Sequence, residues 1–165
     1  MAQQDPQQDA KHEPAPPDLR FAFQVRASVS KPVDTGPAMD TRRRLIPITG
    51  GTVAGPRLQG RVLPGGADWQ VIHADGTADL IARYIIEAAD GTLITVVNRG
   101  LRHGPPEVLA RLAAGEMVDP ALIYFRATPR LEAPPGPHFW MARAIFVCKA
   151  ARRPDAVELD FFEVL

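Results

Sequence analysis

The chain has 165 residues, with 19 basic against 19 acidic side chains and a pI near 6.9. Balanced charge argues against the broad basic face that nucleic-acid binding uses, and no apolar run reaches the roughly 18 residues of a membrane helix. Cys148 is the single cysteine, so no intrachain disulfide can form; with no basic-then-apolar leader, a cytoplasmic protein is expected.

Residues Met1 to Asp18 are polar and proline-rich and read as a disordered tail; Leu19 to Leu165 read as one domain. From Leu19 to Val29, apolar residues alternate with polar ones at period two, the pattern of a half-buried strand. Lys31 to Asp40, with Pro32, Gly36 and Pro37, reads as a loop. Arg42-Arg43-Arg44 reads as a solvated edge that discourages strand addition rather than as a phosphate site. Leu45 to Ile48 is a short strand, followed by Gly50-Gly51 and then a β-like stretch from Thr52 to Leu63. Gly50-Gly51 has neither the Lys-Ser/Thr spacing nor the following helix of a phosphate loop.

Two hairpins come next. Asp75-Gly76 and Asp90-Gly91 each sit between apolar-rich segments, the setting of a tight β-turn. Counted as two-residue turns, they pair Ala74 with Thr77 and Ala89 with Thr92. That register lines up Asp68, Arg83 and Asn98 across three strands, with Trp69, Ala82 and Arg99 as the next row on the other face. Pro105-Pro106 then opens the one convincing helix, whose apolar stripe is Val108, Leu109, Leu112 and Ala113 and whose C-terminal signal is Gly115. Further strands are read over Leu122 to Leu131, His138 to Cys148 and Ala156 to Leu165. Many strands, regular turns and a single short helix predict an all-β fold, an antiparallel β-barrel closed or nearly closed, with a sandwich as the alternative. Several strands are apolar on both faces, so a homo-oligomer is expected to cover the outer one.

From about Arg44 to Leu165, RLIPITGGTVAGPRLQGRVLPGGADWQ, DGT, ARY, DGTLITVVNRG, EVLARLAAGEMVDP, YFRATPRLE and FFEV follow in that order. Together they resemble the small bacterial proteins grouped as domain of unknown function 3237. The resemblance implies a single β-barrel domain, often oligomeric, and no settled chemistry. Two positions depart from the family's pattern. His73 stands where an Arg is common, and Ala142 where an Asn is common, which removes an amide from any ligand site built there.

The Asp68–Arg83–Asn98 row reads either as a pocket wall, with Arg83 offering a planar fork to a carboxylate or carbonyl oxygen, or as an ion pair holding register. An adjacent Arg would lower the Asp68 pKa and make it a weak base. Arg126 and Arg143, in apolar strands, could meet around an anion or sit at barrel ends. Trp69, Tyr84, Tyr124 and Trp140 could line a pocket for a ring or fill the core. His73 could move protons near neutral pH, though a position near the turn suggests exposure. No metal-ligand spacing joins His12, His73, His103 and His138, and no nucleophile elbow surrounds Ser28 or Ser30. The residues therefore point to a cofactor-independent site with catalytic candidates Asp68, Arg83 and His73. Trp69, Tyr84, Asn98, Tyr124, Arg126, Trp140 and Arg143 are the binding candidates. The ligand expected is a small anionic or carbonyl-bearing organic molecule, and the enzyme classes are isomerase, cyclase and lactone-type hydrolase. A non-catalytic carrier and a structural or interaction barrel are the alternatives.

Overall fold

The computed structural model describes residues 14–165. Of the tail expected over 1–18, residues 1–13 lie outside the described part, and 14–18 carry no helix or strand. Ten strands follow: β1 (Leu19–Val29), β2 (Val33–Ala38), β3 (Thr41–Ala54), β4 (Gly60–Val62), β5 (Gly66–Ile72), β6 (Ala78–Ala88), β7 (Leu93–His103), β8 (Tyr124–Glu132), β9 (Phe146–Arg152) and β10 (Ala156–Val164). Helix α1 (Pro106–Ala113) lies between β7 and β8.

Every pairing is antiparallel. The sheet runs β1-β10-β9-β8-β7-β6, passes from β6 through β4 and β5 to β3, and closes where β3 pairs β1. β4 and β5 occupy one stave, broken by the turn between them, and β1 and β2 share one edge of β3 in the same way. Ten strands thus make an eight-staved closed barrel, the architecture expected. No helix among the described residues is long and apolar enough to cross a membrane.

Side-chain alternation explains the closure. In β8, Phe125, Ala127, Pro129 and Leu131 point into the lumen, while Tyr124, Arg126, Thr128 and Arg130 point out. Pro129 lies beyond the last β8–β9 pair, Ala127–Cys148, where a missing N–H is tolerated. One end of the lumen is filled by Phe23, Phe146, Phe161, Ile86, Ile94, Leu131 and Met141, all fully buried. α1 ends in a Schellman cap, with Gly115 at φ +83° and Glu116 N–H donating to the Arg111 carbonyl.

Four local expectations are corrected. Lys31 to Asp40, read as a loop, contains β2, which pairs with β3. Leu45 to Ile48, read as a short strand of its own, is the middle of β3, which runs on through Gly50-Gly51. A Cβ at Gly51 would lie 2.2 Å from the Arg26 carbonyl oxygen, so glycine here marks the close approach of β1. His138 to Cys148, read as a strand, begins as a 3-10 turn over Phe139–Arg143 that drops Met141 into the barrel end, and β9 starts only at Phe146.

The fourth correction is the hairpin register. His73 N–H donates to the Thr77 carbonyl, and Ala88 N–H to the Thr92 carbonyl. Each loop therefore holds three residues, Ala74-Asp75-Gly76 and Ala89-Asp90-Gly91, with both glycines at φ +84°. This is a type I turn closed by a left-handed glycine, the next commonest hairpin after the two-residue turn. The Asp75 and Asp90 carboxylates accept from the backbone N–H of Thr77 and Thr92 and hold the turns. Asp68 consequently faces Ala82, not Arg83, and Ala82 faces Asn98.

Candidate functional site

Slipping both hairpins by one residue turns the middle strand over and leaves the outer two in phase. Asp68 and Asn98 still share the inner face, now flanking Ala82, and Arg83 points out to solvent between Ala67 and Val97. The inner face of β6 is instead Leu80, Ala82, Tyr84 and Ile86.

The lumen opposite the packed end is polar. Gln70, two residues along β5 from Asp68, is buried and donates from Nε2 to Asp68 Oδ2 at 2.7 Å. Arg44 on β3 is registered against Gln70. Arg102 lies four residues beyond Asn98 on β7, on the same face, and Arg152 ends the inward row Phe146, Cys148, Ala150 of β9. Asp68, Gln70, Asn98, Arg102 and Arg152 line a cavity of about 40 Å³, with Ile46, Ile48, Leu80, Phe125 and Leu159 as apolar wall. α1 and the following turn roof the arginine end, where Leu112, Val118, Pro120 and Ile123 lie beside Arg102 and Arg152.

The hydrogen bonding of this wall is incomplete. Asp68 Oδ1, Gln70 Oε1, Tyr84 Oη, Asn98 Oδ1, Arg44 Nε and Arg102 Nε are shut off from solvent without a partner, and they are the only such side-chain atoms among the described residues. Leaving one buried donor or acceptor unmet costs about 1–3 kcal/mol. All six belong to the neighbouring strands β3, β5, β6 and β7.

Burial also sets the proton affinities. It raises the Asp68 carboxyl above the usual carboxylate value, against the opposing pull of the Gln70 hydrogen bond and of the Arg102 and Arg152 charges. The sequence had suggested lowering by an adjacent Arg; with Ala82 opposite instead, desolvation wins. Burial lifts the Tyr84 phenol well above 10, so its hydroxyl stays protonated and can donate. It lowers the Arg102 guanidinium to about 10, still charged at neutral pH. The Cys148 thiol is buried and pushed up, which makes it a poor nucleophile.

Of the residues singled out from sequence, Asp68, Tyr84 and Asn98 line the cavity. The others lie elsewhere. Trp69 is 55% exposed on the outer face. His73 is exposed at the hairpin end, with Nε2 2.7 Å from Asp79 Oδ2. Tyr124 stacks outside on His103 at 4.8 Å, with the Arg126 guanidinium 5.2 Å from its ring centre. Arg126 is registered against Lys149, and Arg143 is exposed at the end of the 3-10 turn, so they do not form the anion pair considered. Trp140 packs at the apolar end under Arg57, 3.6 Å from the ring centre, and against Phe146. Neither departure from the family pattern, His73 or Ala142, lines the cavity. Arg44, Gln70, Arg102 and Arg152 were missed. The period-two count would have found Gln70 and Arg102, since both fall in phase with a residue already chosen. Among the described residues, no group of three or more His, Cys, Asp or Glu side chains is placed to hold a metal.

The chain matches the model of a protein family of unknown function, DUF3237, over residues 17–164. It belongs to that family. A UPF0311 protein of Bradyrhizobium diazoefficiens is 43% identical over 148 residues, which is 90% of this chain and 97% of that protein. The crystal structure of a conserved protein of unknown function from Rhodopseudomonas palustris superposes with a TM-score of 0.90 at 39% identity, covering 93% of this chain and all of that one. A hydroalkoxylation enzyme of Penicillium herquei is 34% identical over 85 residues, 52% of this chain and 56% of that protein. A solved enzyme from the same fungus shares the fold, with a TM-score of 0.70 at 20% identity over 93% of this chain and 98% of that one.

Proposed function

We propose that the polar end of the lumen is the active site of an enzyme that moves one proton within a small carbonyl-bearing organic molecule and so closes or opens a ring, with Asp68 as the proton carrier. The observation that carries this is the set of partnerless buried polar atoms around a carboxyl whose proton affinity is raised by burial. A general base works best when its pKa lies near the working pH, so raising Asp68 improves it for the task. The likeness to a hydroalkoxylation enzyme supports the reaction class, since hydroalkoxylation adds a hydroxyl across a carbon–carbon double bond.

In that reaction Asp68 takes the hydroxyl proton while the oxygen bonds to the far carbon of a double bond conjugated to a carbonyl. The π electrons run to the carbonyl oxygen, where the protonated Tyr84 hydroxyl and the Asn98 amide stabilise the developing charge. Asp68 then returns the proton to the near carbon, and the product is an isomer of the substrate. The test is a panel of hydroxyl-bearing α,β-unsaturated ketones, including 2′-hydroxychalcone, read by absorbance and by mass spectrometry. Conversion to a cyclic ether of unchanged mass is expected, falling at least about 100-fold in Asp68→Asn. Closure unaffected by that substitution would overturn the assignment of Asp68, and ligands bound without conversion would favour the carrier reading.

A further inference from the structure

Asp68, Tyr84 and Asn98 account for the middle of the lumen and leave its roofed end unexplained. Arg102 and Arg152 stand there beside the cavity under Leu112, Val118 and Ile123. Their neighbour Arg44 reaches a carboxylate, Asp34, at 3.9 Å. Arg102 and Arg152 reach none: among the described residues every salt bridge involves other cations. Arg152 spends one donor on the Ala156 carbonyl at 3.1 Å, and the Arg102 Nε has no partner. The one acid in the cavity wall is Asp68, so two guanidiniums face one carboxylate.

A buried charge without a counter-charge is strongly unfavourable, and guanidinium forks match carboxylate geometry with two parallel hydrogen bonds. We infer that the ligand of this barrel carries a carboxylate of its own, held by Arg102 and Arg152 beneath α1. The apolar wall of Ile46, Ile48, Leu80 and Phe125 selects an organic acid over an inorganic ion. The carboxylate would be the handle by which the reactive part of the molecule is brought to Asp68, a division between binding and chemistry that lets remote contacts orient the reacting atoms.

This inference rests on the lumen being the site, but its test reads binding and is independent of turnover. Benzoate, cinnamate and 3-phenylpropionate, each beside its primary amide, would be titrated into the full chain by calorimetry at neutral pH. The expected result is at least one acid bound at least 10-fold tighter than its amide. Arg102→Gln abolishes that preference, while Arg126→Gln on the outer face keeps it. Asp68→Asn removes a like charge and should tighten the acid several-fold even as it stops ring closure. Should Arg102→Gln fail to fold, the acid-over-amide ratio of the unaltered protein and the Asp68→Asn shift still decide. Acids and amides bound equally, no member bound at all, or a preference that survives in folded Arg102→Gln would overturn the inference.

Discussion

The two ends of the barrel lumen share most of their strands and do opposite things. At one end Phe23 stacks on Phe161 with ring centres 4.6 Å apart, Phe146 tilts in at 6.5 Å, and Met141 closes the gap from the 3-10 turn. No polar side chain interrupts that packing. At the other end stand Asn98, Arg102 and Arg152, further along β7 and β9, together with Asp68 and Gln70 on β5. Tyr84 divides the two, with Ile86 on its packed side and Ala82 on its polar side. A barrel has no edges to satisfy, so its stability can come from one packed end while the other keeps buried groups that no structural need explains.

The comparison breaks most visibly at the packed end. Phe161→Ala should lower unfolding stability by about 3–5 kcal/mol in denaturant titration, because a fully buried ring leaves a cavity that neighbouring staves cannot close. A loss no larger than that of a surface substitution would mean that this end does not carry the fold.

At the polar end, the stability of Asp68→Asn relative to the unaltered protein should change with pH in a set direction. The folded-state pKa of Asp68 lies above its unfolded value, so the folded protein holds the proton more tightly. Stability from this group is therefore greatest below the ordinary Asp value of 3.8 and falls as pH rises through the raised pKa. Asp68→Asn lacks that decline and should gain on the unaltered chain between acid and neutral pH in thermal melts. The carboxyls of Asp34, Asp75 and Asp90 are held low by their bonds to Arg42, Thr77 and Thr92 and work the opposite way. They are common to both proteins and cancel in the difference.

The smallest effect is expected outside the lumen. Arg83→Met should change stability by no more than about 0.5 kcal/mol and leave ligand binding as it was, since Arg83 points to solvent. A large loss of either would restore the two-residue turn register and remove the inner wall described above.

How much of this was legible varies by residue. Asp68 and Asn98 were found by counting back from the turns, Tyr84 only as an aromatic candidate on the opposite face, and Gln70 and Arg102 could have been found by phase with Asp68 and Asn98. Arg152 fell outside the strands read from sequence, because the one ending at Cys148 stopped four residues short of the end of β9. The raised Asp68 pKa was not legible at all, since it depends on which side chain stands across from it.

The amino-acid sequence alone determined that this chain is an antiparallel barrel with one helix: period-two patterning and turn chemistry are local properties. It also marked both Asp-Gly reversals, but not whether each loop holds two residues or three. That choice rests on a left-handed glycine and on ladder hydrogen bonds to neighbouring strands, and one residue's difference turns every side chain of β6 to the other face. Tertiary pairing alone therefore decided that Arg83 faces water and that Tyr84 faces the cavity beside Asp68 and Asn98.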